Sequence, residues 1–101
     1  MIPSLEELRA QCRIDDGNTQ EDALLTLYVG AAREKAQLKL NRLIYDSVIP
    51  DSDETGMIIT PLLKLRIMQL VNFWYDNRDQ FGEVPDFFEN GIRDYRLQPG
   101  T

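Results

Sequence analysis

Residues 60–78, TPLLKLRIMQLVNFWYDNR, decide the fold, because they predict a helix with more apolar surface than one core contact requires. At about 100° per residue, a single stripe of this helix collects five apolar residues. These predicted core residues are Leu63, Ile67, Leu70, Val71 and Trp74. Off the stripe lie Leu62, Leu65, Met68, Phe73 and Tyr75. A helix that is apolar on nearly all sides is usually buried on several of them. It is therefore the central helix of a bundle or is partly covered by another subunit, and the two interpretations are compatible.

A second long helix is predicted over about residues 19–40, and it also has two apolar faces. It opens with Glu21 and Asp22, where the helix macrodipole favours acidic residues. One face carries Leu24, Leu27, Tyr28, Ala31 and Leu38, and we predict the first three to be core. The other face carries Leu25, Val29, Ala32, Ala36 and Leu40. Because this second face is rich in alanine, it allows another helix to approach closely.

Two short helices are predicted near the ends of the chain. Ser4-Leu5-Glu6-Glu7 has the pattern of a capping box, so a first helix should run to about Cys12. Pro85 opens a fourth helix, in which Asn90-Gly91 predicts a split or an early end. The tail, residues 97–101, is expected to be loose.

Residues 41–59 are predicted to form a long connection between the two long helices. Leu43–Tyr45 and Val48–Ile49 suit short extended pieces, and the following DSDETG at 51–56 is polar and acidic. Connections this long are uncommon in compact domains and are often functional or mobile. Pro61 then restarts the helix at its favoured first position. The prediction is an all-α fold: one four-helix, bundle-like domain over residues 1–101, with two long helices, two short helices and a long central loop.

Composition and charge narrow the class of protein. A chain of 101 residues suits one domain with a modest core. Seventeen acidic against eleven basic residues give a net charge of −6, which argues against binding nucleic acid through its phosphates. An acidic surface repels phosphates, so passage of DNA nearby remains compatible with this charge. No apolar run approaches the ~20 residues of a membrane span, and we expect a soluble intracellular protein.

The residue types give little support to catalysis. The sequence has no histidine, and its lone Cys12 is expected to be a small buried residue of the first helix in a reducing cytosol. Asp51, Asp53 and Gly56 follow the start of a calcium-binding EF-hand loop, but the twelfth loop position is Leu62 instead of the required glutamate. We therefore predict no enzymatic activity, no metal and no cofactor.

The end of the third helix is a candidate binding surface. Tryptophan, tyrosine and arginine dominate binding hot spots, and Trp74, Tyr75 and Arg78 are close together here. Trp74 fits the core better. For Tyr75 and Arg78, a binding role and a packing role both stay open.

Taken in order, these segments resemble phage head–tail connector proteins, the adaptor or head-completion proteins of tailed double-stranded-DNA bacteriophages. The resembling segments are Leu5–Arg9, Cys12–Asp16, Glu21–Leu25, Tyr28, Ala31–Ala32, Leu40 with Arg42, Pro61, Ile67, Leu70–Val71, Trp74–Tyr75, Asn77–Arg78, Val84–Pro85, Ile92 and Tyr95–Arg96. Each segment is short and mostly apolar, but their order and spacing together are fairly specific. The resemblance covers most of the chain and fails over about residues 45–59.

The resemblance implies a structural virion protein that forms a ring of about a dozen copies under the portal of the filled capsid. It implies contacts with the portal protein and with the next neck or tail-completion protein, while the genome passes through the centre without specific binding. Synthesis would occur in the bacterial cytoplasm, with no membrane involved. Candidate subunit-interface residues are then Leu25, Val29, Ala32, Ala36, Tyr75 and Arg78. Candidates for a channel or docking loop are Asp46, Asp51, Asp53 and Glu54.

Two other interpretations stay open. A cytosolic regulator or adaptor of the helix-turn-helix type is disfavoured by the acidic balance and by the lack of a basic recognition helix. A small metal-dependent enzyme would depend on the acidic loop alone.

Overall fold

The structure, a computed structural model, describes residues 3–15 and 17–97, and its first helix begins where the sequence predicts. Helix α1 spans Leu5–Gln11. The Ser4 amide donates to Glu7 Oε1 over 3.0 Å, and the Glu7 amide donates to Ser4 Oγ over 3.1 Å. The predicted capping box is thus confirmed, and it satisfies amide donors that lack a partner at the helix start.

Helix α2 spans Asp22–Leu40, so it begins later than predicted and ends on the predicted residue. Asn18 caps the turn that precedes the helix, since its Oδ1 accepts from the Gln20 amide over 3.2 Å. Arg9 of α1 donates twice to the Asp22 carboxylate, each time over 3.0 Å, which fixes the start of α2 against α1. Asn41 ends the helix because it adopts the left-handed conformation, at φ 57°.

Helix α3 spans Pro61–Asp76 and is the centre of the fold, since α1, α2 and α4 all pack on it. Thr60 Oγ1 accepts from the Leu63 amide over 3.1 Å, and Pro61 takes the first helical position as predicted. The helix ends slightly earlier than predicted, and a 3-10 turn over Arg78–Gln80 follows. All five predicted core residues of the α3 stripe are buried, and the Trp74 indole N–H donates to the Glu83 carbonyl over 2.9 Å.

Helix α4 spans Asp86–Ile92, so it is not split at Asn90-Gly91, but it ends early, one residue after Gly91. The Arg66 side chain lies against Gly91, where a Cβ would be 2.7 Å from the Arg66 Nε. The missing side chain therefore lets α4 approach α3 closely at this point. A 3-10 turn over Arg93–Tyr95 closes the described C-terminal segment. The tail predicted to be loose lies, from residue 98 onward, outside the described residues.

The connection between α2 and α3 contains a small parallel pair of strands. Strand β1 (Ile44–Tyr45) pairs with β2 (Met57–Ile58), with Ile44 opposite Met57 and Tyr45 opposite Ile58. The extended piece expected at Val48–Ile49 is not a strand. Ile44 in β1 and Ile59, directly after β2, are both buried, so the connection contributes to the core as well as joining two helices.

The core of the described chain is built from the alanine-rich face of α2 and the predicted stripe of α3. The α2 members are Leu25, Tyr28, Ala32, Ala36 and Leu40. The core prediction is wrong for Leu27, which is 58% exposed, and only partly right for Leu24, which is half-buried. The reason is packing geometry, because small alanine side chains let α2 approach α3 and turn the bulkier leucines outward.

The described chain is elongated, with extents of 45 × 28 × 18 Å. Within residues 3–15 and 17–97, no helix is both long and apolar enough to cross a membrane.

Candidate subunit-contact surfaces

The alanine-rich face, expected to contact another subunit, is used inside the chain instead. Leu25, Ala32 and Ala36 are fully buried in the core. Val29 is half-buried and packs against that core. Leu25, Ala32 and Ala36 are therefore corrected from interface to core, because another copy could reach them only if α2 separated from α3.

Tyr75 and Arg78 lie on the surface where α3 ends. The Arg78 guanidinium sits 5.3 Å from the centre of the Tyr75 ring and forms an ion pair with Glu21 over 3.3 Å. The hydrogen bond that Arg78 donates to the Glu21 carboxylate raises the pKa of Arg78 further above its already high value, so Arg78 stays charged. Arg78 is exposed and Tyr75 is partly exposed. Both are accessible to a partner, but part of the Arg78 charge is already balanced within the chain.

Asp53 organises the connection through its own hydrogen bonds. Its carboxylate accepts from the Tyr45 hydroxyl over 2.7 Å and from the amides of Thr55 and Gly56 over 3.0 and 2.9 Å. The Tyr45 hydrogen bond is the main cause that lowers the pKa of Asp53 below its usual value. The other acidic candidates, Asp46, Asp51 and Glu54, are exposed. Asp53 thus shapes the loop that presents them.

Arg42 connects three parts of the chain, a role that its position at the helix end did not predict. Its guanidinium donates to the carbonyls of Thr55 over 2.8 Å, Gly56 over 3.3 Å and Tyr95 over 3.3 Å. The Leu97 amide donates to the Leu40 carbonyl over 2.9 Å at the same junction. The end of α2, the acidic loop and the C-terminal segment are therefore held together at one place.

Helix α2 exposes an apolar stripe on the side that faces away from α3. Leu38 is 69% exposed and Leu27 is 58% exposed, and the stripe also includes Gly30 and Glu34. We call these four residues the α2 outer face. A groove of about 660 Å³ runs beside it, lined in part by Glu34, Leu38 and Tyr45.

Helix α3 exposes a second stripe, away from α2. Leu62 is 46% exposed and Leu65 is 43% exposed, and Gln69 and Phe73 continue the stripe as half-buried residues. We call these four residues the α3 outer face. A groove of about 560 Å³ follows its C-terminal half, where the lining includes Arg66, Gln69, Phe73 and Phe87.

The described residues provide neither a metal site nor a reactive thiol. Within the described residues, no group of three or more histidine, cysteine, aspartate or glutamate side chains is arranged to hold a metal ion. Cys12 is buried, and this burial is the main cause that raises the pKa of its thiol to about 11. Its reactive thiolate form is therefore scarce at neutral pH.

Exposed apolar stripes on a small helical domain are typical of a protein that assembles with others. The family model described as phage gp6-like head-tail connector protein matches residues 2–94, so the chain belongs to this family. It is a structural virion protein of the phage head–tail junction, and the predicted resemblance and all-α fold are confirmed. No curated protein and no solved structure matches the sequence.

Proposed function

We propose that this protein assembles into a ring at the head–tail junction beneath the portal. In this proposal the ring is an adaptor on which the next neck or tail-completion protein docks. The genome passes through its centre without being bound. Family membership supports the location, and the surfaces of the chain support the assembly.

The observation that carries the ring is the presence of two exposed apolar stripes on opposite sides of the α2–α3 pair. Two different surfaces on opposite sides favour head-to-tail contacts, which close into a ring when the rotation between copies is suitable. A single self-complementary patch would favour a two-fold dimer instead. Tyr75 and Arg78 remain candidate contacts at the end of α3.

The charge of the chain supports passage of DNA without retention. The net charge is −6, and Asp46, Asp51 and Glu54 are exposed on the loop that Asp53 organises. We propose that this loop lines the channel or docks on a neighbouring neck protein. Repeated around a ring, its carboxylates would repel DNA phosphates.

Size-exclusion chromatography with light scattering, over a range of protein and salt concentrations, tests this function. Electron microscopy of any large species completes the measurement. We expect closed rings of the isolated protein, or rings that form when purified portal complexes are added. A protein that stays monomeric with portal complexes would contradict the proposal. So would a dimer that binds duplex DNA with a steep loss of affinity in salt, because that is the behaviour of a regulator.

A further inference from the structure

We propose that neighbouring copies in the ring pack the α2 outer face of one against the α3 outer face of the next. The two helices run antiparallel, and Glu34 of one copy lies beside Arg66 of its neighbour. The contact presupposes the ring proposed above and names the surfaces that would close it.

The α2 and α3 outer faces point in opposite directions. Leu27 and Leu38 lie about half a turn around α2 from the residues that pack on α3. Leu62 and Leu65 likewise point away from the buried stripe of α3. The two faces are thus on opposite sides of one helix pair, as a head-to-tail contact requires.

The residues of the two faces also match in their positions along the helix axes. Within the chain α2 and α3 are antiparallel, because Tyr28 packs against Trp74, with ring centres 6.0 Å apart, and Glu21 pairs with Arg78. If the helices run along the ring axis, rotation about that axis keeps residues at the same level in every copy. Counting along both helices then places Leu38 level with Leu62, and Leu27 level with Phe73.

The chemistry at matching levels is complementary. At one end of the contact, Leu38 meets Leu62, with Leu65 next to it on the same face. At the other end Leu27 meets the aromatic pair formed by Phe73 and Phe87, whose ring centres are 6.0 Å apart. Between them Gly30 has no side chain, and no heavy atom of the described chain lies within 4 Å of a Cβ built there. A facing helix can therefore approach closely at that point.

The charges at the middle level match as well. Glu34 is exposed and has no ion pair among the described residues. Arg66 donates to Gln69 over 3.1 Å, and its buried Nε has no acceptor in the described chain. The Nε itself lies against Gly91, but a carboxylate from a second copy would accept from the terminal nitrogens of this half-exposed guanidinium. A second copy is the occupant that fits, since the apolar ends and the charge coincide at one register.

A disulfide between copies tests the contact directly. In a Cys12→Ala background, we expect the Leu38→Cys, Leu62→Cys variant to form a ladder of covalent oligomers when its rings are mildly oxidised. Within one chain these two positions are on opposite sides of a helix pair, too far apart to form an internal disulfide. Denaturing electrophoresis with and without reductant measures the ladder.

A displaced pair is the matched control. Leu27→Cys with Leu62→Cys carries the same chemistry on the same two faces, but the antiparallel register separates these positions by about 16 Å along the helices. We expect no ladder from this variant. A ladder from the displaced pair alone would show that the helices run parallel and would overturn the proposed register.

Charge reversal gives an independent measurement. Glu34→Arg should weaken assembly by about tenfold or more, because it places like charges together at the contact. Adding Arg66→Glu should restore assembly. Glu83→Arg, an equal charge change at an exposed site outside both faces, should leave it unchanged. Circular dichroism establishes that each variant is folded.

These outcomes separate the contact from the function. Rings of the unsubstituted protein without a ladder from the Leu38→Cys, Leu62→Cys variant would overturn the proposed contact while the ring stands. The absence of any ring, even with portal complexes, would overturn both.

Discussion

At the scale of single residues, Trp74 is expected to contribute strongly to the stability of the core. It is fully buried, its ring makes edge contacts with Tyr28 and Phe81, and its indole N–H is bonded to the Glu83 carbonyl. We expect Trp74→Ala to lower the free energy of unfolding by ~3–5 kcal/mol, because it removes a large buried ring and leaves a cavity. Urea denaturation followed by circular dichroism measures the change.

Leu27→Ala is the control for this measurement. Leu27 was predicted to be core but is mostly exposed, so its truncation should change the free energy of unfolding by only about 0.5 kcal/mol or less. A large loss of stability in this variant would restore Leu27 to the core and would show that the orientation of α2 is wrong.

Asp53 makes the stability of the loop depend on pH. Its pKa in the folded protein is below that of an ordinary aspartate, chiefly because the Tyr45 hydroxyl donates to it. A lowered pKa means that the stabilisation is fully present above the pKa of the unfolded state, and that it is lost as the pH falls through the folded value. Asp53→Asn should therefore unfold at a lower urea concentration than the unsubstituted protein at pH 7.

The pH series distinguishes the Asp53 carboxylate from its neighbours. The difference between Asp53→Asn and the parent should begin to shrink below about pH 4, where the Asp53 carboxylate of the unfolded parent becomes neutral, and should be lost once the pH is below the lowered pKa of the folded parent. Asp51→Asn, at an exposed acid of the same loop, should show little difference at any pH. A constant difference between Asp53→Asn and the parent down to pH 2 would argue that the effect is not ionic.

At the scale of elements, the contact between α3 and α4 depends on a glycine that a helix would normally disfavour. Gly91→Ala gains helix propensity of about 1 kcal/mol, but its Cβ would lie 2.7 Å from Arg66 Nε. We expect little or no net stabilisation from Gly91→Ala alone. In an Arg66→Ala background the same substitution should stabilise the protein, because the obstruction is gone. A double-mutant cycle from thermal unfolding measures this coupling, and equal effects in both backgrounds would contradict it.

The helix starts could be predicted because their signals are local. Ser4 with Glu7, and Thr60 with Pro61, are recognised within four residues of sequence, and the structure places both helix starts there. The orientation of α2 could not be predicted in the same way. Both of its faces are apolar, and periodicity identifies stripes without saying which one meets α3.

The connection shows a second limit of local patterns. The pairing of β1 with β2, and the reach of Arg42 to Tyr95, join residues that are distant in sequence. No spacing within residues 41–59 predicts either. The Asp51–Gly56 pattern that resembled a metal loop has a local explanation in the structure, because the Asp53 carboxylate caps the amides of Thr55 and Gly56.

At the scale of the whole molecule, the exposed apolar faces are separate from the acidic loop. The α2 and α3 outer faces lie on opposite sides of the long helices, while the acidic loop and the C-terminal segment share one junction through Arg42. Lateral contacts and axial contacts could therefore use separate surfaces. Substitutions in the loop should then alter docking or DNA passage without preventing assembly.

The proposed channel role of the loop leads to a prediction about DNA. Rings that carry Asp51→Lys and Glu54→Lys should retain duplex DNA, with an affinity that falls steeply as salt rises, because each added lysine releases counterions from the phosphates. Rings of the parent should not retain it. Glu83→Lys with Asp94→Lys makes the same total charge change at exposed sites outside the loop. The DNA that this control retains therefore measures the effect of net charge alone, and we expect it to be small. Filter binding across a salt series measures all three. Equal retention by the loop and control variants would show that the loop does not face the DNA path.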